Sequence, residues 1–156
     1  MGYTNIFLFA SPQVEAAIAL QMMLTNQQEE VARTVVGPQI GEITMKLLQV
    51  IRETENDDLT SVMQKIICTY TEQLIPLAVN ICNNLMTTFA QVKRKILFQY
   101  EYFINLFPSQ VLESNDQGDE KAITAMGLLN TMETILTVME DTAVHSQLEP
   151  IVLQVK

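Results

Sequence analysis

Residues 57–89 read DDLTSVMQKIICTYTEQLIPLAVNICNNLMTTF, and this stretch decides the fold. Leu59, Val62, Met63, Ile66, Ile67 and Tyr70 recur at the spacing that places one apolar stripe along a helix. Ala78, Ile81, Cys82, Leu85, Met86 and Phe89 repeat the same offsets. Asn56, Asp57 and Asp58 are suited to cap the first helix and to oppose its positive end. Pro76 stands where a first-turn proline is tolerated. Only a short turn around Thr71 to Leu74 separates the stripes, so the two helices are expected to pack antiparallel as one hairpin.

The pattern extends on both sides. Upstream, Pro12 opens a helix that turns Val14, Ala17, Ile18 and Leu24 inward. A partner entered through Gly37-Pro38 carries Ile40, Ile43, Leu47, Val50 and Ile51. Downstream, Lys121 to Asp141 carries Ala125, Leu128, Leu129, Met132, Ile135, Leu136 and Met139, and a last helix is expected to start at Pro150. Pro38 and Pro76 stand 38 residues apart, a period typical of HEAT or armadillo helical hairpins. The expected fold is therefore all-α, an α-solenoid of about three antiparallel hairpins. Its parts are an atypical segment 1–11, repeats at 12–54 and 56–92, an atypical insertion with an acidic loop at 93–119, and a truncated repeat at 120–156.

Pro76 to Pro150 is too long for one such period, and residues 93–112, KRKILFQYEYFINLFPSQVL, account for much of the excess. They hold five of the chain's ten Phe and Tyr residues. One reading is a basic and aromatic docking insert. The other is intron read-through, because Gln91-Val92-Lys93 and Gln154-Val155-Lys156 leave the helical pattern through the same three residues, and a codon for Val followed by Lys is what translation through a splice donor can produce. That reading also covers the first eleven residues and Lys156, and sequencing the spliced transcript decides it.

Composition narrows function. The chain has 156 residues, 48% of them hydrophobic, and a net charge of −9. Such a surface repels phosphate backbones and speeds encounters with basic proteins, so basic partners are expected and nucleic acid is not. No apolar run is long enough to span a membrane, and Ile6 to Phe9 lacks the basic flank and length of a signal peptide. Cys68 and Cys82 fall in helical patterns and read as reduced thiols.

Chemistry is not legible. His145 reads as a solvated residue between two helices, with no partner motif. Asn115, Asp116, Asp119 and Glu120 lack the ligand spacing of a calcium loop. No zinc motif or phosphate cradle occurs. No catalytic, cofactor-binding or metal-binding residue is assigned, and no cofactor is expected. A cysteine hydrolase using Cys68 or Cys82 would require an activating charge that neither has nearby in sequence.

Particular stretches carry a resemblance. Val14-Glu15-Ala16-Ala17-Ile18-Ala19-Leu20-Gln21 resembles a segment common in importin-β-type transport receptors. Ile51-Arg52-Glu53-Thr54-Glu55-Asn56-Asp57-Asp58-Leu59-Thr60 is similar to the importin-seven and importin-eight branch. So are Ala125 to Thr131, with Val138, Glu140 and Asp141, and the ending Gln147-Leu148-Glu149 with Leu153-Gln154-Val155. These stretches keep the family's order over about two thirds of the chain, as motif matches rather than proof of descent.

The resemblance implies an interior piece of a HEAT-repeat superhelix. Such receptors take basic cargo in the cytoplasm, pass nucleoporins at the nuclear pore, and release cargo in the nucleus to the GTP-bound small GTPase Ran. The repeats that supply the family's main Ran surface fall outside this match, so no Ran-contacting residue is carried over. A HEAT scaffold of a phosphatase or microtubule regulator is the alternative, and it gives no reason for the match at Arg52 to Thr60.

Overall fold

The computed structural model describes residues 12–26, 29–106, 116–140 and 142–153. Residues 1–11, 107–115 and 154–156, named above as atypical or terminal, lie outside these, as does the Leu24 side chain. Among the described residues the secondary structure is helical throughout, without a strand. The elements are α1 (Pro12–Asn26), α2 (Glu29–Val36), α3 (Ile40–Thr54), α4 (Asp57–Thr69), α5 (Thr71–Leu74), α6 (Ala78–Leu106), α7 (Asp116–Val138) and α8 (Thr142–Val152).

Two layers result. In one, α4 packs between α1 and α7; in the other, α6 packs between α3 and α8. The layers meet where α3 touches α4 and α6 touches α7. This is the stacking that three helical hairpins adopt when each must hide its apolar stripe against the next. All six apolar residues of the Leu59-to-Tyr70 stripe are buried, as are Ala78, Ile81, Cys82 and Leu85 of the second stripe. Met86 and Phe89 pack half-buried on the same core.

Helix boundaries follow local chemistry. Glu55 ends α3 in the left-handed region at φ 52°, a conformation that costs a side chain something unless its surroundings hold it. Asn56 then caps α4, its side-chain oxygen accepting from the Leu59 N–H at 3.4 Å. Pro38 and Pro76 both stand in a single 3₁₀ turn that leads into a helix of the second layer, Gly37–Gln39 before α3 and Ile75–Leu77 before α6. Proline suits that position because a first-turn N–H has no helical acceptor. Two short helices that the periodicity does not reveal, α2 and α5, precede these turns.

The third repeat departs from expectation. Its second helix begins at Thr142 and Pro150 lies inside it, so Pro150 is not the counterpart of Pro38 and Pro76. The missing N–H removes one bond of the final turns, a loss tolerable so close to a helix end. The first helix of this repeat is likewise displaced. It starts at Asp116 rather than near Lys121, making Asp116 to Asp119 helical instead of a loop, and it ends at Val138. Met139 still closes the turn, its N–H donating to Ile135 O at 3.0 Å, and is fully buried. Residues 93–106 form no separate unit but continue α6 without interruption.

Candidate protein-binding surface

Neighbouring repeats are joined by a polar seam that sequence periodicity does not reveal. On α7, Thr124, Gly127 and Thr131 present small side chains to α4 at helical spacing. The Thr124 hydroxyl donates to the Glu55 carbonyl at 2.7 Å. Gln64 Nε2 donates to Gly127 O and Thr131 Oγ1 at 3.4 and 3.3 Å. Gly127 is obligatory for this approach, since a Cβ there would sit 2.2 Å from Thr60 Oγ1. On the other side of α4, Lys65 Nζ donates to Gln21 Oε1 of α1 at 3.4 Å. Several buried threonines are tolerated because their hydroxyls donate to carbonyls of their own helix, as Thr88 does to Asn84 O and Thr131 to Gly127 O, whereas the buried Thr44 Oγ1 has no such partner.

The acidic run from Glu53 to Asp58 is largely consumed by structure. Glu53 accepts from Gln49 Nε2 at 2.8 Å. The Glu55 carboxylate, only 13% exposed, pairs with Lys95 of α6. Asp57 and Asp58 occupy the first turn of α4, where their charge opposes the helix dipole. The second acidic run is only partly described; there Asp119 and Glu120 are exposed on α7.

Among the described residues, two clefts open to solvent. One, about 310 Å³, lies between α3 and α6 and is lined by Glu42, Met45, Lys46, Gln49, Arg52 and Asn84. Glu42 and Lys46 pair across one turn at 3.1 Å while staying largely exposed. The cleft presents amides and charges of both signs on a helical face, which suits protein surfaces rather than a small apolar ligand.

The second cleft, about 490 Å³, lies along α7 and α8 and includes Leu136, His145, Ser146, Glu149, Val152 and Leu153. His145 is thus not between helices: it belongs to α8, lines this cleft, and keeps a buried Nε2 without a hydrogen-bond partner. Among the described residues no group of three or more His, Cys, Asp or Glu gathers as metal ligands would. No described helix is long and apolar enough to cross a membrane.

Cys82 is not a reactive thiol. Burial pushes the Cys82 thiol from 9.0 up to about 12, so it remains protonated and poorly nucleophilic at neutral pH. Cys68 is exposed and also free. A maleimide at neutral pH is expected to label Cys68 promptly and Cys82 only on unfolding; prompt labelling of both would refute the buried placement. The folded thiol holds its proton between pH 9.0 and about 12 while the unfolded one releases it. Stability should therefore decline as pH rises above that lower value, and Cys82→Ala should remove this part of the slope.

A stack of paired helices in two layers, joined by a buried seam and opening clefts to solvent, is a segment of a HEAT-like α-solenoid. The sequence relatives specify which kind. The chain is 42% identical over 144 residues to Importin-8 of Danio rerio and 38% identical over the same length to Importin-8 of Homo sapiens, covering 92% of this chain in both cases. It is 28% identical over 131 residues, 83% of the chain, to the Saccharomyces cerevisiae protein named Nonsense-mediated mRNA decay protein 5. The chain belongs to the importin-β superfamily, in its importin-seven/importin-eight branch. It spans 12% of the length of each of these relatives. No family profile matches it, and no solved structure matches.

Proposed function

We propose that this chain is a non-catalytic, protein-binding segment of a nuclear import receptor. In this reading its exposed helical faces contact basic protein cargo, of the ribosomal-protein or histone kind, taken up in the cytoplasm. Release in the nucleus follows binding of GTP-bound Ran, and passage through the pore follows contacts with nucleoporins, both made by the whole receptor. The observation that carries the reading is the similarity to importin-8 along 92% of the chain. The net charge of −9 supports the sign of the cargo, because an acidic surface steers basic partners toward it.

Two measurements test it. Immobilised chain is expected to retain histones or basic ribosomal proteins, to lose them as salt rises, and to ignore acidic proteins of similar size. In permeabilised cells, a full receptor carrying Glu42→Lys and Glu53→Lys in this stretch is expected to import basic cargo several-fold less well while still binding GTP-bound Ran. Cargo binding without regard to charge, or import untouched by the substitutions, would sink the proposal.

A further inference from the structure

Helix α6 overhangs α3. Lys95 reaches the carboxylate of Glu55, the residue that ends α3, so the part of α6 beyond Lys95 extends past α3. Up to that point the solvent face of α6 is ordinary, with Asn83, Thr87 and Ala90 exposed. Beyond it the same face turns apolar: Leu97 is 54% exposed, Phe98 70% and Tyr102 60%. An aromatic cluster this open at the end of a charged helix marks a surface that something covers.

We propose that the covering partner is a second copy of this chain, its α6 lying antiparallel against the first across a two-fold axis between Leu97 and Phe98. The charges on the stripe carry the choice. Arg94 and Glu101 are both exposed, stand on the same face, and lie equally far from that axis on opposite sides. Antiparallel pairing therefore sets Arg94 of each copy against Glu101 of the other, twice, while Leu97 meets Phe98. A two-fold interface must be self-complementary, and this stripe is.

A lipid surface fits less well. Glu101 stands inside the apolar stripe, where only an opposing cation offsets its desolvation, and the chain as a whole carries a charge of −9, which anionic headgroups repel. The apolar area is small, so the dimer belongs with weak, reversible associations. Its rim ion pairs set register more than affinity.

Sedimentation equilibrium of the 156-residue chain over a wide concentration range tests this. A reversible monomer–dimer equilibrium is expected. Phe98→Asp, at an exposed position, should leave only monomer with unchanged helical circular dichroism. Arg94→Glu or Glu101→Arg alone sets like charges opposite each other twice, and should weaken the dimer by about five- to tenfold. The two together reverse both pairs and should restore it. Monomer at every concentration overturns the proposal, as does association that survives Phe98→Asp or that the double exchange fails to rescue. Partition of a monomeric chain onto phosphatidylserine vesicles overturns it in favour of a membrane.

Discussion

Gly127→Ala is expected to destabilise the folded chain by about 2–3 kcal/mol, near the upper range for overpacking a filled interior. Elsewhere in a helix the same change would be favourable by about 1 kcal/mol, since alanine is the better helix former. The sign reverses here because the new methyl would lie 2.2 Å from Thr60 Oγ1 and 3.0 Å from Thr60 Cβ. Both are far inside contact distance. The Thr60 hydroxyl cannot simply turn away without losing its bond to Asp57 O at 2.6 Å. The helices must therefore separate, and separation weakens the bonds from Gln64 to Gly127 O and from Thr124 to Glu55 O that cross the seam.

Urea denaturation reads this cost directly. Adding Thr60→Ala to Gly127→Ala removes the hydroxyl and methyl that collide and should recover part of the loss. Gly127→Ala with stability equal to or above the parent chain would show that α4 and α7 do not approach as closely as described.

Ile66→Ala carries the largest expected effect, about 3–4 kcal/mol, within the range for emptying a fully buried aliphatic site. Ile66 is fully buried on α4, the helix that packs against both α1 and α7. In a stack held only by nearest neighbours, weakening the middle layer costs both interfaces at once. Hydrogen exchange should accordingly accelerate in α1 and α7 as well as in α4. A loss below about 1 kcal/mol, small for a buried large-to-small change, or faster exchange confined to α4, would contradict the central position assigned to this helix.

Much of the architecture was legible because burial on a helix repeats with the helical period. The stripe from Leu59 to Tyr70 identifies both an element and its inward face, and the structure buries each of its residues. Proline proved a less dependable marker. Pro38 and Pro76 occupy matching turns, but Pro150 sits inside α8. The same residue type serves at a helix start, where its absent N–H is no loss, and near a helix end, where the loss is small. His145 was placed between helices for the related reason that polar neighbours, Thr142 to Gln147, read as a break. Val144 and Leu148 are nonetheless the buried side of a helix.

The binding surface was less legible than the core. The capping role of the acidic run was legible, and Asn56 does cap α4, but the pairing of Glu55 with Lys95 was not. The Lys95 partner could not be read locally, since it lies 40 residues from Glu55. The spacing of Thr124, Gly127 and Thr131 was the available signal for the seam, a ridge of small residues on an otherwise bulky helix.

What the amino-acid order determined by itself is the helical class, the apolar stripes, and the kinship with importin-8 that rests on sequence alone. Periodicity reports which side of a rod avoids water, and that is a property of neighbours three and four residues apart. Only the tertiary structure decided which rods touch. The bond from Thr124 to Glu55 joins positions 69 residues apart, the clash that makes Gly127 obligatory involves Thr60, and the apolar overhang of α6 exists only because α3 stops where Lys95 meets Glu55.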